Sequence, residues 1–164
     1  MEVLKVFMLA LSRFKFFPNY IQRRSIATHS TNGRNLLLVS LDWTRPKDPP
    51  MALGHASILA TLRQKNIRVI EKSYAVNKPE FSPNSVVEFV LQNARRNNGI
   101  DLAMGAFIWN ENALQTILPQ LRRDGFKGRI ILGGPQVSYV KRGIEHYYPL
   151  ADIFIRGYAE MALA

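Results

Sequence analysis

The chain has 164 residues, of which 47% are hydrophobic, and it contains no cysteine and only three histidines. This length and apolar content are sufficient for one domain with its own core. Without cysteine, the chain has no disulfide, thiolate metal site, cysteine nucleophile or iron–sulfur cluster of its own. No apolar run approaches the roughly 20 residues that a membrane-spanning helix needs.

The net charge of +10 is shared between a short N-terminal segment and the rest of the chain. Residues 1–34 hold six basic residues and one acidic residue, whereas the remaining 130 residues hold 16 basic and 11 acidic residues. The larger part has no strip of interleaved aromatic and basic residues, so its charge is of the kind that keeps proteins soluble. The sequence therefore predicts neither nucleic-acid binding nor membrane binding.

Residues 1–34 have the composition of a targeting segment. They are basic, nearly free of acids and end in a stretch rich in serine and threonine, and their apolar residues fall roughly on one helical face. This pattern is typical of a mitochondrial transit peptide, with cleavage expected between Arg24 and Ser30. The alternatives are an ordinary N-terminal extension and a cytoplasmic protein. In either case we expect these residues to lie outside the folded domain, residues 35–164.

Apolar strands alternate with helices from residue 36 onward. The continuous apolar run 36–41 is typical of a strand buried on both faces. A loop is predicted over 46–50. The later strands are predicted over 67–70, 102–108, 129–132 and 153–155. The helices between them are predicted over 53–64, 83–96 (with Ser82 as its cap), 110–124 and 138–147, and a final helical fragment follows Gly157. This alternation predicts an α/β fold: a doubly wound, five-stranded parallel sheet in the flavodoxin-like order 2-1-3-4-5.

Ligands of such sheets bind beyond the carboxyl ends of the strands, where the strand order reverses. The loops 42–50 and 109–112 lie there, and their candidate ligand-binding residues are Trp43, Thr44, Trp109 and Asn110. The alternative for the first loop is a solvated linker whose charges pair among themselves, and the alternative for Trp109 is that it covers the core.

The loop after the fourth predicted strand is the third candidate. Gly133 and Gly134 would let the backbone approach a ligand closely, and Pro135, Gln136 and Ser138 follow at a helix start. The alternative is a tight strand-to-helix turn with a capping serine. Two glycines followed by proline are more than such a turn needs, which favours the ligand.

No catalytic or metal-binding constellation accompanies these loops. The sequence lacks the glycine-rich dinucleotide and phosphate-loop motifs, the hydrolase serine elbow and a cluster of acids at the strand ends. His55 lies in the first predicted helix, where a packed histidine is more common than a metal ligand.

Three segments resemble the cobalamin-binding domain found upstream of the radical domain in radical S-adenosylmethionine enzymes. They are residues 49–56 (PPMALGHA), 133–138 (GGPQVS) and 152–160 (DIFIRGYAE), in the order and spacing of that family. The resemblance covers residues 36–164. It implies a corrinoid held against the carboxyl end of the sheet, with its nucleotide tail near the loops after the first, third and fourth predicted strands.

Two departures from the family limit what the resemblance implies. The Asp-x-His-x-x-Gly motif that supplies a histidine to cobalt is absent, because Asp42 is followed by Trp43 and Thr44. The cysteine triad of the radical domain is absent as well. We therefore expect a fragment or stand-alone remnant that binds cobalamin, performs no catalysis alone and pairs with a radical-enzyme partner. The alternative is a remnant that has lost the corrinoid and docks a partner protein. No motif in the sequence supports the hypothesis of an enzyme of another class.

Overall fold

The computed structural model describes residues 20–23, 35–97, 99–140 and 142–164. The strands are β1 (Tyr20–Arg23), β2 (Asn35–Asp42), β3 (Val69–Ala75), β4 (Ile100–Gly105), β5 (Ile130–Gly133) and β6 (Ile153–Arg156). The helices are α1 (Leu53–Gln64), α2 (Pro83–Arg96), α3 (Glu111–Arg123), α4 (Pro135–Tyr139), α5 (Ile144–Tyr147) and α6 (Glu160–Leu163), with a single 3₁₀ turn at Ile108–Asn110. In the described part of the chain, no helix has the length and apolar character required to span a membrane.

Strands β2 to β6 form one parallel sheet in the order β3-β2-β4-β5-β6. Numbered from the first parallel strand, this is the order 2-1-3-4-5, so the predicted doubly wound α/β fold is confirmed. The strand order reverses at β2, which pairs with β3 on one side and β4 on the other. The carboxyl ends of β2 and β4 therefore lie next to each other at the edge of the sheet where ligands bind in this class of fold.

Strand β1 was not predicted. Its four residues pair antiparallel with the outer edge of β6, with Tyr20 opposite Arg156 and Arg23 opposite Ile153. An uncovered outer strand exposes a row of unpaired backbone groups, and β1 pairs with those of β6. The folded domain therefore includes part of the predicted leader. Residues 1–19 and 24–34 lie outside the described residues, so the mitochondrial transit peptide and its cleavage site stay predictions.

The core consists of two apolar layers, one on each face of the sheet. Leu37, Val39 and Leu102 contribute to the layer that α2 and α3 cover, and Leu36 and Leu38 contribute to the layer beneath α1. Successive residues of a strand point to opposite faces. Because both faces are covered, β2 needs an apolar residue at nearly every position, which explains its continuous run.

Strands β3 and β4 differ most from the predicted ones. β3 begins at Val69 because the turn after α1 extends to Ile67, whose N–H donates to the carbonyl of Leu62. β3 then continues through polar residues to Ala75, which an outer strand tolerates because water reaches it. β4 ends at Gly105, three residues early, because the chain turns there into the 3₁₀ helix.

The predicted helices differ from the structure in one element and in one cap. The predicted helix 138–147 is two short helices, since Val140 is extended and Gly143 adopts a φ of +80° between them. Ser82 precedes α2, but its side chain makes no capping hydrogen bond. Its carbonyl instead accepts a hydrogen bond from the Ser85 hydroxyl at 2.7 Å.

Candidate functional site

The loop after β2 is held by a side-chain clamp that leaves its tryptophan exposed. The Asn77 side-chain oxygen accepts a hydrogen bond from the Thr44 N–H at 3.0 Å, and the Asn77 amide group donates to the Thr44 carbonyl at 2.8 Å. The predicted site residue Thr44 therefore positions the loop. Trp43, directly before it, is 56% exposed. Asn77 was missed by the sequence analysis, since it lies 33 residues from its partner.

Trp109 follows β4 and borders the same edge of the sheet. Its indole N–H donates to the carbonyl of Leu41 at 3.1 Å, and its ring stacks on Phe107 with a centroid distance of 4.5 Å. The indole is thus fixed against the end of β2 while part of its ring remains exposed. Trp109 combines the two roles that the sequence left open, because it covers the strand ends and presents an aromatic surface.

Asn110 is 1% exposed and is satisfied within the protein. Its amide group donates to the carbonyls of Leu41 and Gly105 at 3.1 and 2.9 Å, and its side-chain oxygen accepts from the Phe107 N–H at 2.9 Å. These bonds join the carboxyl ends of β2 and β4, so its side chain serves the fold at the place where the sequence analysis proposed a ligand contact.

Gly133 and Gly134 have different structural roles. Gly134 has a φ of +89°, and a Cβ there would lie 2.9 Å from the carbonyl oxygen of Ala106, so the backbone itself requires glycine. At Gly133 a Cβ would meet only the Ile155 backbone oxygen at 3.6 Å and its Cβ at 3.9 Å, which are ordinary contacts. The backbone conformation therefore requires glycine at position 134. At position 133 the fold does not require glycine, so a ligand contact remains an explanation for that residue.

The residues after the glycines begin α4. Pro135 is exposed at its first position, and the backbone N–H of Gln136 donates to the carbonyl of Ala106 at 3.1 Å. The Ser138 hydroxyl oxygen accepts from the N–H of Gly157 at 3.0 Å and ties α4 to the end of β6. Ser138 therefore does not cap this helix, contrary to the turn alternative, because the helix has already begun at Pro135.

His55 lies on α1 and packs against the sheet. It is 7% exposed, and its Nε2 atom lies 3.5 Å from a carboxylate oxygen of Glu71 without a hydrogen-bond partner in the described structure. Within the described ranges, no group of three or more histidine, aspartate or glutamate side chains is arranged to hold a metal ion.

Two tyrosines, the half-buried Tyr74 and the buried Tyr148, have raised pKa values. Burial raises the pKa of Tyr74 to about 12. The pKa of Tyr148 is raised far above its usual value, mainly by burial and secondly by the hydrogen bond to Glu111. Both phenols therefore remain protonated at neutral pH, so neither supplies a phenolate base.

Exposed apolar side chains gather on the connections that leave the carboxyl ends of the strands. Of the eight large hydrophobic residues exposed in the described chain, seven lie between the carboxyl end of a strand and the end of the first helix after it. Tyr147, on α5, lies further along the connection between β5 and β6. We call these seven the carboxyl-edge rim: Trp43, Leu53, Ile108, Trp109, Tyr139, Tyr158 and Met161. Only the two tryptophans were predicted as site residues. In the sequence, the other five could not be distinguished from apolar residues that pack in the core.

Comparison with known proteins does not assign this chain to a family. No protein-family model matches the chain, and the search of curated proteins finds no significant match.

Proposed function

We propose that this domain binds cobalamin at the carboxyl edge of its sheet and performs no catalysis alone. The observation that carries the proposal is the carboxyl-edge rim. Single exposed apolar residues are common on protein surfaces, but their concentration on the connections at one edge is typical of a binding surface. That edge is also where the order of the strands reverses.

The residues at this edge suit a corrinoid in three ways. The aromatic rings of Trp43 and Trp109 offer apolar surface to a broad macrocycle. Gly133, at the end of a central strand, is partly exposed and has no side chain, which would let a ligand approach its backbone closely. Arg156, at the end of β6, has a buried Nε donor with no acceptor in the described structure. Bound cobalamin would supply organocobalt chemistry, and these residues would bind and orient it.

Neither of the two histidines in the described residues takes part in the proposed binding. His55 is buried beside Glu71, and His146 lies on α5, on the connection that leads into β6. The proposal is therefore that contacts with the corrin ring and its side chains hold the cofactor, without a histidine bound to cobalt.

Titration of the full chain with hydroxocobalamin tests the proposal. We expect the corrinoid to co-elute with the protein in gel filtration. A variant with both Ile108→Ser and Tyr139→Ser should bind at least about tenfold more weakly, because about 1.4 kcal/mol of apolar contact is lost. Both side chains are exposed, so folding should be preserved.

The control is Lys127→Ser, an exposed position on the loop before β5 at the opposite edge, which should bind as the wild type does. Elution of all corrinoid as free ligand at high protein concentration would reject the proposed function.

Docking of a partner protein is the second candidate function. It is favoured by the extent of exposure in the rim, where Leu53, Tyr139 and Ile108 are 85%, 83% and 79% exposed. Apolar side chains that protrude so far suit burial in a protein–protein interface. If the corrinoid does not bind, this candidate replaces the first.

A further inference from the structure

Arg156 occupies a distinctive position next to the glycine loop. It ends β6, and the preceding carbonyl, that of Ile155, is the atom nearest to where a Gly133 side chain would begin. The next residue, Gly157, donates its N–H to the Ser138 hydroxyl on α4. The backbone of Arg156 therefore lies beside the glycine loop and α4 on one side and pairs with Tyr20 of β1 on the other.

The guanidinium of Arg156 differs from the structural arginines of the domain. Arg122 pairs with Asp152, and Arg129 pairs with Asp101 while donating from both its Nε and one terminal nitrogen. Arg156 Nε is also buried, but no hydrogen-bond acceptor or carboxylate among the described residues pairs with it. A buried donor without an acceptor is unfavourable, so a side-chain movement that brings this guanidinium to an anion would be favourable.

The guanidinium of Arg156 indicates which kind of anion it would bind. A guanidinium presents a planar fork of N–H groups that matches the oxygens of phosphate. Cobalamin carries one such group, the phosphodiester of its nucleotide tail. We propose that Arg156 binds this phosphodiester, so that the site selects corrinoids with a nucleotide tail over those without one. This inference rests on the proposed function and adds a specificity-determining residue to it.

A comparison of cobalamin with cobinamide, which lacks the nucleotide tail and its phosphodiester, tests this role in the full chain. We expect wild-type protein to bind cobalamin at least about tenfold more tightly than cobinamide. Arg156→Met keeps much of the apolar stem and should weaken cobalamin binding about tenfold, as loss of a charge-assisted hydrogen bond requires. It should change cobinamide binding by less than about twofold. Arg156→Lys keeps the charge without the fork and should give an intermediate affinity for cobalamin.

Two controls separate this role from a general loss of positive charge. Arg123→Met removes an exposed arginine from the last turn of α3, at the opposite edge of the sheet, and should leave the affinities for both corrinoids unchanged. Excess inorganic phosphate should compete with cobalamin but not with cobinamide for the wild-type protein. Equal affinities for the two corrinoids, or equal effects of Arg156→Met on both, would overturn the inference and leave the proposed function intact. Failure of the wild-type protein to bind either corrinoid would instead reject the proposed function.

Discussion

Replacing Asn110 with alanine is expected to lower the free energy of unfolding by about 3 kcal/mol, because each of its three hydrogen bonds contributes about 1 kcal/mol. The side chain is buried, and its bonds join the ends of β2 and β4 to the Phe107 backbone. Without it, the carbonyl of Gly105 loses a partner in an interior that water does not reach. Urea denaturation of the full chain, monitored by far-ultraviolet circular dichroism, measures the change.

The matched control for Asn110 is Asn112→Ala. Asn112 is an exposed residue in the first turn of α3, and its replacement should change the stability by less than about 0.5 kcal/mol. Similar stabilities of the two variants would show that the Asn110 side chain is not a structural clamp and would return it to the candidate ligand contacts.

Replacing Gly134 with alanine is expected to destabilise the fold by about 3 kcal/mol or more. The residue adopts a φ of +89° and a ψ of −177°, a combination essentially restricted to glycine, which alone costs other residues about 1–3 kcal/mol. The added Cβ would also press on the Ala106 backbone at 2.9 Å from oxygen and 3.1 Å from nitrogen. The melting temperature and the urea midpoint of the purified variant report this loss.

Two other glycines provide the comparison for this result. Gly133→Ala makes only ordinary contacts with Ile155 and should change stability by less than about 1 kcal/mol. Gly54→Ala places a methyl group in open space on α1 and should raise stability by about 0.5–1 kcal/mol through its better helix propensity. Wild-type stability of Gly134→Ala would mean that the backbone here does not require glycine.

The fold could be predicted because its signals are local. The period of apolar residues in α1 and α2 and the apolar runs of β2 and β5 each lie within about a dozen residues, and the alternation of these elements determines a parallel sheet. The strand predictions were wrong where contacts between residues distant in sequence determine the structure. β1 forms a strand only because β6, more than 130 residues later, offers an open edge, and β3 continues through Glu71 and Lys72 because it is an outer strand.

The candidate site could be located but its side chains could not be assigned roles from sequence. The loops after β2, β4 and β5 meet at one edge of the sheet, as expected from the order of the strands. Whether a polar side chain in such a loop is free depends on its hydrogen-bond partners. Thr44 and Ser138 make their contacts with Asn77 and Gly157, which are distant in sequence. Exposure, which distinguishes the rim residues Leu53 and Tyr158, is likewise a property of the assembled fold.

The two tryptophans of the chain give the most direct measurement of the central claim, because both lie at the carboxyl edge. In a ¹⁵N–¹H spectrum of the full chain, the indole N–H signals of Trp43 and Trp109 are the only two of their kind. We expect hydroxocobalamin to shift or broaden both signals until saturation, while the backbone amide of Lys127 at the opposite edge remains unchanged. Unperturbed indole signals in the presence of excess corrinoid would contradict binding at this edge.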